Sequence, residues 1–274
     1  ETNKYVAQGI VGDHLDKNGN LITSYTNNGE PVKVPFFNEK AYDDQSNYMR
    51  FYNNLQFPFT KTTNDKGVST YSFNSEQNTV YYDYDNNKIV RKDTLVIHDA
   101  SKQKNRGYFP FNSTDPSDSN KDNLNYGFGT QFTIPFTVTG DGKNVDDTPM
   151  TFKFTGDDDV WVYIDGALVL DMGGAHEIAE GEINFETQTA TIKTGTSNAK
   201  LGNQPTAGGR VASEDNEKST VNFSDIKVKK SDNTIVTLAD HMKTSGTVHE
   251  LKMYYMERGM WNSNMSISYS FVPL

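Results

Sequence analysis

Thr151 to His176 reads TFKFTGDDDVWVYIDGALVLDMGGAH, and the reading of this stretch decides the fold. Phe152 and Phe154 alternate with Thr151, Lys153 and Thr155. Beyond the acids, Val160, Val162 and Ile164 alternate with Trp161, Tyr163 and Asp165. A period of two in β-branched and aromatic residues is that of a strand, and Asp165-Gly166 between two such runs signals a hairpin. The order is therefore strand, acidic loop, strand, tight turn, strand. Asp157, Asp158 and Asp159 sit on a short loop held by rigid strands on both sides. Like charges side by side repel one another. A hard cation that prefers oxygen ligands, such as calcium, offsets that repulsion. The alternative is capping, in which the carboxylates accept backbone N–H groups of their own loop.

The same pattern extends outward. Turn signals stand at Asn18-Gly19, Asn28-Gly29, Asp65-Lys66-Gly67, Asn86-Asn87 and Asp141-Gly142, between short runs rich in Val, Ile, Thr, Tyr and Phe. Gly181 to Phe185, Thr189 to Ile192, Glu250 to Tyr255 and Met265 to Phe271 read as further strands. Many short strands at turn-length spacing predict an all-β fold, an antiparallel sandwich or barrel. Helix is minor. Tyr42, Tyr48, Met49, Phe51, Tyr52 and Leu55 come close to helical spacing, with Asp43 and Asp44 at the start and Phe57-Pro58-Phe59 at the end, which predicts one short helix. A helical turn is expected at Leu238 to Met242. Residues 195–220 are rich in Gly, Ser, Asn and Thr and read as a long loop, functional or mobile. No internal repeat or domain boundary is visible, so residues 1–274 read as one domain. Residues 1–120 contribute strands and the short helix, and residues 121–274 form the motif-bearing core.

The bulk numbers exclude several function classes. Aromatic residues make up 12% of the chain, with 15 Tyr and 16 Phe, against 34% hydrophobic residues overall; this weight suits sheets better than helix bundles. The net charge of −10 and the lack of a basic stripe argue against nucleic acid as a partner. No apolar run reaches membrane-spanning length. There is no cysteine, so neither a thiolate nucleophile nor a cysteine-ligated metal is available. No nucleophile elbow or phosphate-binding loop occurs, and adjacent aspartates on one loop do not flank a scissile glycosidic bond; the chain is read as a non-enzyme. The run DKNGN at 16–20 opens like a calcium loop, but Leu21 stands where an EF-hand needs Gly and Asn27 where it needs a bidentate acid, so a plain turn is expected.

GDDDVWVYIDGALVLDMGGAH at 156–176, GEINF at 181–185 and HELKMYYMERGMWNSNMSISYS at 249–270 together resemble the fibro-slime domain family, within the protective-antigen-like β-barrel group that includes the yeast flocculin-type adhesins. FPF at 57–59 and NYGFGTQFTIPF at 125–136 fit the pattern more loosely. The resemblance implies a β-sandwich or barrel in which two adjacent aspartates, joined by a cis peptide, bind calcium, and calcium binds sugar hydroxyls. The matching pair is Asp157 and Asp158. A second loop, Glu257 to Asn264, completes the metal site: Glu257 falls where flocculins carry asparagine, and Gly259 and Trp261 fall near positions that supply backbone carbonyls. Asp159, His176, Arg258, Asn262 and Asn264 are implied to face the ligand. For His176 a buried, hydrogen-bonded role stands equally open. The implied function is that of a calcium-dependent, carbohydrate-binding adhesin module of a larger secreted or cell-surface bacterial protein, with a glycan or glycoprotein as partner. The alternative is a structural module of a fibre, stalk or matrix whose metal only stabilises it.

Overall fold

The structure is a computed structural model that describes residues 5–27, 29–37, 50–95, 107–115, 117–119, 123–174, 176–194, 200–202, 218–258 and 263–274. The chain opens with β1 Tyr5–Ala7, β2 Ile22–Asn27, β3 Glu30–Lys33, β4 Thr60–Thr63, β5 Ser69–Asn74, β6 Thr79–Asp83 and β7 Lys88–Lys92. It continues through β8 Phe128–Thr137, β9 Thr151–Gly156, β10 Asp159–Ile164, β11 Ala167–Met172, β12 Ala179–Asn184, β13 Thr189–Thr194 and β14 Lys200–Gly202. β15 Lys218–Asn222, β16 Lys227–Lys229, β17 Ile235–Thr237, the helical turn α1 Leu238–His241, β18 Val248–Glu257, β19 Met265–Tyr269 and β20 Val272–Pro273 complete it. The architecture is all-β, as the sequence predicts.

Two antiparallel sheets carry the fold. One has five strands in the order β11-β10-β18-β8-β20, the other seven in the order β15-β13-β12-β9-β19-β5-β4. Their facing sides fill one core. Val160, Val162, Ile164, Leu251, Met253 and Tyr255 come from the first sheet, and Phe152, Phe154, Ile183, Ile192 and Ile267 from the second. The alternation on β9 is direct: Phe152 and Phe154 are buried while Lys153 between them is exposed. A period-two pattern leaves one face for the core and one for water.

β10 departs from that rule, because all six of its residues are buried. Trp161 and Tyr163 point away from the main core into a second cluster with Tyr254, Met256, Val11, Leu21 and Val34. The N-terminal segment thus covers the outer face of the five-stranded sheet. At the end of β10, Asp165 (φ 47°) and Gly166 (φ 80°) are both left-handed, as a two-residue turn matching strand twist requires.

The short helix is a correction in part. Residues 38–49 lie outside the described residues, and residues 50–59 contain no helix. Asn54 has φ 60°, which a right-handed helix does not admit, and Phe57 precedes a proline, which disfavours helix there. The aromatic spacing serves tertiary packing instead. Tyr52 meets Tyr82 at 4.3 Å between ring centroids, and Phe57 meets Phe132 at 4.8 Å. Most of the 195–220 run also lies outside the described residues. Its described parts are strands: β14 runs parallel to β1, and β15 adds to the seven-stranded sheet.

Candidate metal centre

Topology brings the acids together. β9 belongs to the seven-stranded sheet and β10 to the five-stranded one, so residues 157–158 cross between the sheets. β18 and β19 likewise lie in different sheets, with Arg258 following the first and Ser263 and Asn264 preceding the second. β9 pairs with β19 and β10 with β18, so Asp157 and Asp158 lie beside Arg258 and Asn264 at one end of the sandwich. Gly156 permits their close approach: a Cβ there would lie 2.2 Å from the Asn264 carbonyl oxygen. Ser263 is also pinned to residues 107–108: it forms a bridge with Gly107, and its hydroxyl donates to the Tyr108 carbonyl at 2.7 Å.

Asp157, Asp158, Asp159 and Glu257 are all buried here. The Asp157 carboxylate accepts the backbone N–H of Asn264 and, at 3.1 Å, its side-chain amide. Asp158 accepts the Arg258 backbone N–H at 2.8 Å. Asp159 accepts the Gly174 N–H and a two-pronged contact from the Arg258 guanidinium, whose Nη2 lies 3.1 Å away. Glu257 accepts the Tyr255 hydroxyl at 3.0 Å, and that hydroxyl also meets Ser263 Oγ at 2.9 Å. The cis peptide implied by the resemblance is absent: no cis bond occurs among the described residues, and the chain reverses instead through Asp158 at φ 62°. Aspartate tolerates the left-handed region, whereas a cis bond without proline is far costlier.

The arrangement strains the charges. Burial, the largest cause, and the neighbouring Asp158 charge push the Asp157 carboxyl up to about 7, although the Asn264 hydrogen bonds act the other way. Burial, the Asp158 charge and a hydrogen bond that the protonated Glu257 donates to Asp158 push Glu257 up to about 9. Burial also raises Asp159, opposed by Arg258. Without a cation, Glu257 therefore holds a proton at neutral pH and Asp157 is partly protonated. Hard oxygen donors with a shared proton between Glu257 and Asp158 suit a hard divalent cation, which replaces protons with a single larger charge.

Other sequence-derived candidates fall as follows. Arg258 pairs with Asp159. Asn264 faces Asp157. His176 turns inward, with Nδ1 at 2.7 Å from the Glu177 carbonyl and Nε2 at 3.4 Å from that of Met172; it joins its own loop rather than the acids. Gly259, Trp261 and Asn262 lie outside the described residues. Trp161 is a core residue whose Nε1–H donates to Asp171 at 3.2 Å. Sequence reasoning missed Ser263 and Tyr255, whose hydroxyls orient Glu257, because single hydroxyls carry no spacing signal. It also missed Asp165, His241 and His249, which meet across 76 and 84 residues of chain.

With the geometry in hand, comparison with known proteins gives a partial match. No family model matches the chain, and no solved structure matches it. Proteins of Dictyostelium discoideum do match. The protein psiP is 35% identical over 118 residues, which are 41% of this chain and 14% of psiP. The protein psiF is 35% identical over 123 residues, 45% of this chain and 15% of psiF. The protein psiG is 62% identical over 35 residues, 13% of this chain and 5% of psiG. The match thus spans about a seventh or less of each of these relatives. No helix among the described residues is long and apolar enough to cross a membrane.

Proposed function

We propose that this chain is an extracellular, calcium-dependent carbohydrate-binding module of the fibro-slime type, working as an adhesin within a larger multidomain surface protein. The observation that carries the reading is a buried acid group in which Glu257, at the end of β18, hydrogen-bonds Asp158 and feels the charge of Asp157. Calcium would draw on these carboxylates and would supply open coordination positions for vicinal sugar hydroxyls. Arg258 keeps Asp159 neutralised and the loop in place. The partner is a glycan or glycoprotein, bound weakly per site and strongly by many copies. Catalysis, nucleic acid and membrane insertion form no part of the reading.

A second reading is favoured by one observation. Asp159 and Glu257 are fully buried and Asp158 is only 4% exposed, so a cation among them would be largely enclosed and would stiffen the crossings rather than meet a ligand. A glycan array read in millimolar calcium and again in chelator separates the two. The adhesin reading predicts glycan binding that chelator abolishes. Glycan binding that persists in chelator contradicts the calcium role, and a lowered melting temperature with no glycan bound supports the structural module.

A further inference from the structure

A second group of donors lies at the far end of β10 and β18. Asp159 and Asp165 are six residues apart along one extended strand, so the two ends are separated by roughly 20 Å. At the far end, His241 Nε2 and His249 Nδ1 each lie 2.7 Å from the same oxygen, Asp165 Oδ2. The three donor atoms fall within 4.8 Å of one another. They come from three separate elements: the turn after β10, the last residue of α1 and the second residue of β18. The other carboxylate oxygen, Oδ1, accepts the Glu250 N–H at 2.8 Å, and the Asp165 N–H donates to the Glu250 carbonyl at 2.9 Å, which fixes the orientation of the carboxylate. The His249 ring is enclosed, edge-on to His241 at 5.3 Å and beside Phe136 at 5.8 Å. The His241 and Asp165 side chains each keep 20% exposure, so the cluster is open to solvent on one side.

We propose that Asp165, His241 and His249 form a binding site for a divalent transition metal of the zinc class, distinct from the acid-rich end and independent of its reading. Two imidazole nitrogens and one carboxylate oxygen are the donor set that such metals prefer, with solvent free to take a fourth position. Calcium, which needs six to eight oxygens, does not fit this set. A tetrahedral ion with bonds near 2.0–2.1 Å holds its ligand atoms about 3.3 Å apart. The two 2.7 Å pairs must therefore open slightly, and His241, partly exposed at the end of a one-turn helix, is the ligand placed to move. In the metal-free protein each ring points an N–H at Asp165; on binding, each nitrogen gives its lone pair to the metal and the ring proton moves to the other nitrogen. For His249 that nitrogen, Nε2, is buried with no hydrogen-bond partner, so its N–H in the metal-bound form has no acceptor, a cost that the metal–ligand bonds must exceed.

The test uses the full chain, stripped of metal and then held in saturating calcium, with zinc titrated against a chromophoric zinc indicator. One equivalent of zinc is expected to bind. His241→Ala is expected to weaken it by more than about 100-fold, since ligand orienters alone are worth 10–100-fold. Asp165→Asn is the second variant, and Asp158→Asn is expected to leave zinc binding unchanged. Cobalt in place of zinc is expected to give visible absorption of nitrogen-ligated, low-symmetry Co2+ that His241→Ala removes. Melting of each variant checks that it folds. Absence of stoichiometric zinc binding, or the same affinity in folded His241→Ala and Asp165→Asn, overturns the proposal and leaves the cluster as a hydrogen-bonded clamp.

Discussion

Replacing Trp161 with alanine is expected to cost about 3–5 kcal/mol of stability, read as a drop in the urea midpoint. Trp161 is 1% exposed and sits on the outer face of β10, where it closes the second core against Val11, Leu21 and Val34. Its loss leaves a cavity and removes the N–H donor to Asp171, whose other oxygen holds the Gly9 N–H. The main core between the sheets is untouched by the change. Residues 6–37 are therefore expected to lose hydrogen-exchange protection before the sandwich does. Trp161→Phe keeps most of the ring and is expected to cost less. A loss below about 1 kcal/mol for the alanine variant, within the range of ordinary surface changes, would contradict the covering role of the N-terminal segment.

The second large effect is the pH dependence of the metal-free protein. Asp157 and Glu257 hold their protons more tightly folded than unfolded, so protons favour the fold. Their contribution is complete below the ordinary carboxylate range and is lost as pH rises through about 7 for Asp157 and about 9 for Glu257. For Asp157 alone, moved from 3.8 to about 7, this is on the order of 4 kcal/mol as an upper bound. In chelator the melting temperature is thus expected to fall from pH 5 to pH 9. Calcium takes the place of the protons, so it is expected to raise melting more at pH 8 than at pH 5. At a hundred times its Kd, a ligand adds about 2.7 kcal/mol. A flat profile in chelator would contradict the charge account. Asp165 contributes with the opposite sign: burial raises its carboxyl, but the hydrogen bonds from His249 and Glu250 outweigh that and hold it below 3.8. Its contribution is present at neutral pH and lost only in acid.

The hairpins were legible because their chemistry is local. Asp165-Gly166, Asn86-Asn87 and Asp65-Lys66-Gly67 announce turns through residues that accept left-handed backbone, and Asn87, Asp165, Gly67 and Gly166 adopt it. The three acids were legible as a group for the same reason. The helical spacing misled over residues 50–55, since aromatic spacing records only that rings are buried, and Tyr52 and Phe57 find partners in distant strands. The partner of the acids was only half legible. Glu257 was found by family resemblance, but the Arg258–Asp159 pair and the Ser263–Tyr255 support depend on two crossings that meet through sheet pairing about 100 residues apart. The Asp165–His241–His249 group left no mark in the sequence, because its members share no spacing.

Calcium titration calorimetry on metal-stripped protein, comparing the parent with Glu257→Gln and Asp158→Asn, tests the central claim most directly. Both changes keep side-chain shape and remove one carboxylate that the bound calcium would draw on. The account predicts one calcium per chain, bound by the parent and weakened at least tenfold in each variant. Equal calcium binding by the parent and both variants, or none by the parent, would contradict it.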